Sequence, residues 1–297
     1  MTAERKWVAA VLLCVVLASV FLASYFYARL SPHKGKGSVF TQDKIAVVKI
    51  EGVLIDAAEI LREITRYKER DDVRAIVLRI DSPGGAVVPA QEIYEELRKL
   101  RNEKMILASV GNVAASGGYY VACAANEIIA NPGSLTGSIG VISEYPNLEK
   151  LMDKIGWESL VVKSGQFKDV GNPMREMTKE EKHLMQSLVD NVHKQFVQAV
   201  AEGRNMNVKA VEHLADGRVY TGEQAKAHGL IDRLGNFQDA LDRAGELAGI
   251  KGEPVVIYPE EKRGPIWKRL FSNVSKWIGR YLLEQSIEDS HGFVTIH

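Results

Sequence analysis

Apolar stretches alternate with segments of helical spacing through the central part of the chain. Lys44 to Ile50 and Val73 to Ile80 are rich in β-branched residues, which is typical of buried strands. Ala57 to Lys68 carries apolar residues at helical spacing, and a second helical segment reaches about Leu100. Because strand, turn and helix in this order form βαβ units, the pattern predicts an α/β fold with a largely parallel sheet.

The alternation continues after this unit. Met105 to Val110 predicts another strand, and Glu127 to Ala130 and Ile139 to Ser143 predict two short ones. Asn131 to Ser138, between the two short strands, is rich in turn residues and predicts a loop.

The second half of the domain is predicted to be mainly helical. Thr178 with Glu180 and Glu181 after it is typical of a helix start, and the amphipathic pattern continues to about Gly203. Four shorter helices are predicted, over Asn147 to Ile155 and near Val208 to Leu214, Glu223 and Phe237.

Both ends of the chain differ from this domain. Trp7 to Ala28 contains no charged residue and is long enough to cross a bilayer as a helix. No pair of small residues typical of a cleavage site follows it, which favours an uncleaved anchor over a signal peptide. Basic residues lie on both sides, so charge leaves its orientation open.

The C-terminal segment is basic and amphipathic, with Trp267 and Trp277 on its apolar side. This pattern fits a helix at a membrane interface, and it equally fits a helix that packs on its own domain or on a neighbouring subunit. The predicted organisation is therefore an anchor over residues 1–30, a linker over 31–43, a domain over 44–258 and a helix with a flexible tail over 259–297.

Composition excludes some classes of function. Lysine and arginine together number 38 and so do aspartate and glutamate, so the overall charge does not suggest a nucleic-acid partner. The two cysteines, Cys14 and Cys123, have no metal-type spacing. We expect no disulfide, no metal site and no cofactor.

Ser116 is the candidate nucleophile. It lies among small residues just after a predicted strand, where a turn into a helix exposes a hydroxyl beside backbone N–H groups such as that of Gly117. Asp81 to Gly85 also joins a strand to a helix, so its glycine N–H groups are candidate oxyanion donors. Alternatively, Ser116 caps the helix and the glycines only permit tight packing.

Lys168 is the candidate base, in a loop of apolar and small residues. A lysine amine acts as a base only when neutral, and because the ordinary lysine pKa is about 10.4, burial must lower it by roughly three units. A solvated surface lysine is the alternative. None of the seven histidines lies in a recognisable motif, which disfavours a Ser-His-Asp triad without excluding it.

Four motifs together resemble the short bacterial form of signal peptide peptidase A. In chain order they are Asp-Ser-Pro-Gly-Gly from Asp81, Ala-Ser-Gly-Gly-Tyr-Tyr from Ala115, Gly-Ser-Leu-Thr-Gly-Ser-Ile-Gly-Val from Gly133 and Ser-Gly-Gln-Phe-Lys from Ser164. The resemblance spans about Ile45 to Leu247. It implies a crotonase/Clp-peptidase fold, a spiral of ββα units, behind a single transmembrane helix.

The resemblance also implies the role of each site residue. Ser116 would be the nucleophile, Lys168 the general base and Ser138 the residue that orients the lysine amine. Gly85, with Gly84 as the alternative, and Gly117 would donate N–H groups to the oxyanion.

The same resemblance implies an assembly and a location. Members form homo-oligomeric rings, and the short form builds each site from neighbouring protomers. The N-terminus would be cytoplasmic, with the anchor in membrane lipid and the domain outside the cytoplasm. There it would degrade remnant signal peptides and other apolar peptides.

Two other functions stay open at this point. Acyl-CoA chemistry on the same fold would use paired N–H groups without needing Ser116 or Lys168. A non-catalytic, membrane-anchored assembly module would need no hydroxyl at Ser116. We also consider that the tail from Phe293 to His297 enters an active site as a pseudo-substrate, a hypothesis that deletion of the tail would test.

Overall fold

The computed structural model describes residues 42–259, together with Leu17, Ser19, Val20 and Leu22, which are helical. The chain divides into two units after Gln42. No helix within this described part is long and apolar enough to cross a membrane. The predicted anchor, apart from those four residues, and the basic amphipathic segment beyond Pro259 lie outside the described residues.

The second unit contains eight strands and eight helices among its described residues. The strands are β1 (Lys44–Leu54), β2 (Val73–Gly85), β3 (Met105–Ala115), β4 (Glu127–Ala130), β5 (Leu135–Gly137), β6 (Val219–Thr221), β7 (Arg233–Leu234) and β8 (Val255–Ile257). The helices are α1 (Ala58–Lys68), α2 (Val87–Leu100), α3 (Gly117–Ala122), α4 (Glu149–Ile155), α5 (Lys179–Arg204), α6 (Val208–Leu214), α7 (Gly222–Ala227) and α8 (Phe237–Leu247).

The strands form one mixed sheet in the order β6-β5-β3-β2-β1-β8. All pairs are parallel except β5 with β6, which confirms the predicted α/β class and the largely parallel sheet. The first part of β3 pairs with β4, whereas its last residues pair with β5. This divided pairing brings β5 to the carboxyl end of β3.

The central strands are buried on both faces. Ala46, Val48 and Ile50 of β1 join the larger core, which α2, α3 and α5 cover. Ile45 and Val47, which point the opposite way, join a second core under α8. Burial on both faces is the reason these strands are continuous apolar runs in the sequence.

Two predicted boundaries are wrong. Ile139 to Ser143, predicted as a strand, is not one. The strand that follows β4 along the chain is instead β5, which lies within the segment predicted as a loop. After β5, Ser138 has a φ of 50°, which takes the chain out of the sheet. Asp81 to Gly85 is not a separate turn but the end of β2, still paired with β1.

Candidate active site

Ser116 lies where β3 ends and α3 begins. Its backbone has φ 51° and ψ −121°, a combination that costs a non-glycine residue energy and occurs mainly where the surrounding structure imposes it. Although Ser116 occupies the N-cap position, its side chain makes no capping hydrogen bond. The hydroxyl is therefore not engaged in capping, which was the alternative interpretation of this serine.

Ser138 lies next to Ser116 at the end of the neighbouring strand. Ala115 pairs with Gly137, and the Ser116 N–H donates to the Gly137 carbonyl at 2.9 Å. Ser116, Ser138 and Asn205 are the described non-glycine residues with positive φ. Asn205 is the left-handed C-cap of α5, a common position for asparagine, so the other two unusual conformations both occur at the candidate site.

The end of β2 packs directly against the Ser116 turn. A Cβ on Gly84 would lie 2.6 Å from the Gly117 nitrogen and 2.8 Å from the Ser116 Cβ, so only glycine fits there. The Gly84 N–H donates to the Ser82 Oγ at 3.1 Å. Of the two glycines considered as oxyanion donors, Gly85 is therefore the better candidate.

A cavity of about 410 Å³ connects these elements. Ser116, Gly117, Ser138 and Gly85 all line it, so four of the five predicted site residues are brought together. Lys168 and the histidines are not among its described lining residues. The arrangement offers a hydroxyl, a second hydroxyl beside it and two backbone glycines around one space.

Lys168 lies in the irregular segment between α4 and α5. It is exposed, and its backbone N–H donates to the Gly165 carbonyl at 3.1 Å. The Asp169 carboxylate binds Arg175 at 2.9 Å and also binds Lys163. Arg175 and Lys163 hold the pKa of the Asp169 carboxyl well below its usual range.

Comparison with known proteins identifies the family of this chain. The model of peptidase family S49 matches residues 98–251, more than half of the 297 residues. The chain belongs to peptidase family S49. The Clp protease model also matches residues 39–134, in agreement with the mixed α/β sheet of this S49 chain and with the predicted crotonase/Clp-peptidase type.

Relatives of this S49 protein are named as peptidases. A protein of Synechocystis sp. named as a protease is 42% identical over 232 residues, which cover 77% of this chain and 83% of that protein. One of Enterococcus faecium named as signal peptide peptidase SppA is 33% identical, covering 80% and 73%. One of Methanocaldococcus jannaschii named as a protease is 33% identical, covering 84% and 76%.

The structure adds cavity residues of the S49 domain that the sequence analysis did not single out. Val87 and Ala90 of α2, Tyr120 of α3 and Val192 and Phe196 of α5 give the cavity apolar walls. The spacing of Val192 and Phe196 marks them as one face of a helix, but a face of this kind usually belongs to a core. Nothing in the sequence shows which helix faces meet at Ser116.

Proposed function

We propose that this S49 chain is a serine peptidase with a Ser-Lys dyad, in which Ser116 is the nucleophile and Lys168 the general base. One observation carries the proposal: Ser116 is held at positive φ, free of any capping bond, beside two glycines and Ser138 on one apolar cavity. Membership of a peptidase family favours peptide hydrolysis over acyl-CoA chemistry or a purely structural role.

The reaction is acyl transfer in two stages. Neutral Lys168 takes the proton of Ser116 while the Oγ attacks the peptide carbonyl carbon, and the carbonyl oxygen becomes an oxyanion. The N–H groups of Gly85 and Gly117 stabilise that oxyanion, each by about 3 kcal/mol. The C–N bond then breaks, and the lysine returns the proton to the leaving amine. Water, deprotonated by the same lysine, hydrolyses the acyl-enzyme.

We further propose that the lysine at each site comes from a neighbouring copy of the chain. Two observations support this: Lys168 is exposed, and it does not line the described cavity of its own protomer. The segment that carries it exposes large apolar side chains, among them Leu160 at 93% and Val162 at 90%. Monomeric proteins seldom expose such a patch, so a ring of copies is the proposed assembly.

Ser138 is proposed to hold the amine of that incoming lysine. Its position beside Ser116 and on the same cavity supports this role. The Ser138 oxygen would accept a hydrogen bond from the lysine amine while that amine takes the proton of Ser116. Coverage by the partner would also remove water from the amine, which favours its neutral form.

The proposed substrates are apolar peptides, above all remnant signal peptides. The apolar cavity walls at Val87, Ala90, Val192 and Phe196 support this class. The charge-free stretch from Trp7 to Ala28 supports a single-pass anchor. Its proposed orientation, with the N-terminus cytoplasmic and the domain outside, rests on the family resemblance. Residues 31–43 would then be the linker, 44–258 the peptidase domain and 259–297 a helix and tail.

The test is hydrolysis of quenched apolar peptides by the full chain in detergent, comparing the parent with Ser116→Ala and Lys168→Ala. Both variants should lose on the order of 10³-fold or more in kcat. Lys154→Ala, which removes an exposed lysine of the preceding helix α4, is the matched control and should cleave like the parent. Thermal unfolding and size measurements confirm that each variant is folded and assembled.

Activity that persists in Lys168→Ala would overturn the assignment of the base and direct attention to the histidines. No cleavage by a folded and assembled parent would overturn the peptidase function itself.

A further inference from the structure

Two cavities of the domain meet at one aromatic ring. The first is the cavity of about 410 Å³ that contains Ser116. The second, of about 520 Å³, lies between α2 and α5. Tyr120 is the one described residue that lines both of them. Its side chain therefore forms the boundary between the two spaces.

Neighbouring aromatic rings fix the Tyr120 ring in place. The Phe196 ring lies 4.9 Å from it, centroid to centroid, and the Tyr94 ring lies 5.0 Å away at a steep angle of 75°. Tyr94 and Phe196 are both buried, so their own packing keeps them against the Tyr120 ring. The Tyr120 ring is thus supported by two neighbouring rings.

The two cavities differ in chemistry. Around Ser116 the walls are apolar, with Val87, Ala90 and Val192 near the nucleophile. Beyond Tyr120 the walls carry polar and charged side chains, including Lys194, Gln198 and Glu202. An apolar side chain that enters beside Ser116 gains by burial only as far as the ring.

We propose that Tyr120 is a specificity-determining residue that closes the pocket for the substrate side chain preceding the cleaved bond. This inference rests on the proposed peptidase function. The ring limits the depth of the pocket, so peptides with alanine or leucine at that position are cleaved faster than peptides with tryptophan. Removal of the ring joins the two cavities and relaxes the limit.

The test uses the full chain in detergent and matched quenched peptides that differ only in having alanine, leucine, phenylalanine or tryptophan before the cut. Tyr120→Ala should raise the ratio of kcat/KM for the tryptophan peptide to that for the leucine peptide by about 10-fold or more, the scale on which apolar pockets discriminate size. Tyr120→Leu, which keeps an apolar side chain, gives the same test where Tyr120→Ala does not fold.

Tyr94→Phe is the matched control. It keeps the ring that contacts Tyr120 and removes only the hydroxyl that donates to the Ala199 carbonyl at 3.4 Å, so the peptide ranking should stay that of the parent.

A folded, active Tyr120→Ala or Tyr120→Leu variant with the ranking of the parent would overturn the proposal. An equal shift in Tyr94→Phe would also overturn it, because loosened packing between α2 and α5 would then explain the change. If the parent cleaves none of the peptides, the peptidase function fails, which is a separate result.

Discussion

Ser82 connects three parts of the candidate site although it does not line the cavity among the described residues. Its Oγ donates to the Gly52 carbonyl of β1 at 2.6 Å and accepts from the Gly84 N–H at 3.1 Å. Its own carbonyl lies 2.7 Å from where a Cβ on Gly118 would be. The fully buried Ser82 therefore positions both the Gly84 turn and the start of α3.

Replacing Ser82 by alanine should lower kcat by about 10-fold or more while KM stays nearly constant, because a displaced Gly85 N–H weakens stabilisation of the transition state only. The variant should also lose stability, since the buried Gly84 N–H is left without its partner, at a cost of about 1–3 kcal/mol. Steady-state kinetics on one apolar peptide, with thermal unfolding, measure both effects.

Ser109→Ala is the control for this prediction. Ser109 is equally buried, but it lies in the body of β3, where its Oγ accepts from Arg79 at 3.1 Å. It should lose stability and keep the parent kcat. A Ser82→Ala variant with unchanged kcat would show that Ser82 acts on stability alone.

At the scale of elements, the N-terminus of α5 anchors the loop that carries Lys168. The predicted helix start at Thr178 is confirmed, and Thr178 and Glu181 form a reciprocal capping box there. Glu181 also accepts two hydrogen bonds from Arg175, at 2.6 and 2.8 Å. Arg175 in turn binds Asp169, the residue after Lys168, so the loop is attached to the helix.

Glu181→Gln should lower the thermal midpoint at neutral pH by weakening this attachment. The Arg175 guanidinium, helped by the Thr178 N–H, lowers the pKa of the Glu181 carboxyl from 4.5 to about 2. A carboxyl with a depressed folded pKa stabilises the fold above its unfolded pKa and loses that contribution as pH falls through its folded pKa. The difference between parent and variant should therefore shrink from about pH 4.5 toward pH 2.

Glu180→Gln, in the same first turn but exposed, is the matched control. It should follow the parent across the pH range. A gap between parent and Glu181→Gln that stayed constant from pH 7 to pH 2 would contradict the assigned role of the carboxylate.

At the scale of the whole molecule, the prediction concerns shared sites. Ser116→Ala and Lys168→Ala chains, each inactive alone, are produced together with different tags, and assemblies carrying both tags are isolated. If each site uses Ser116 of one protomer and Lys168 of the next, about one quarter of the sites in a randomly mixed ring are intact. Peptide hydrolysis should recover to that fraction of the parent rate.

Assemblies that carry both tags and remain inactive would show that the dyad forms within one chain. The same preparation of Ser116→Ala with a Ser116→Ala, Lys168→Ala double variant is the control. It should stay inactive, because none of its sites has a nucleophile.

The local patterns of this chain were predictable to different degrees. The strands β1 to β4 and the helix α5 were found because buried strands and amphipathic helices each have a periodicity of their own. The strand β5 was missed because three residues are too few to show a period, and its pairing with β3 and β6 decides its conformation. The Asp81 to Gly85 segment was taken as a turn because glycine and proline usually interrupt strands.

The sequence by itself determined the α/β class, the family and the residue types at the candidate site, because these depend on local periodicity and on ordered motifs. Only the tertiary structure decided which of those residues share a space. It brings Ser116, Ser138, Gly85 and Gly117 to one cavity, since β2, β3 and β5 end side by side. It leaves Lys168 exposed on a separate loop and places Tyr120 between two cavities, because packing of distant segments has no counterpart in local sequence.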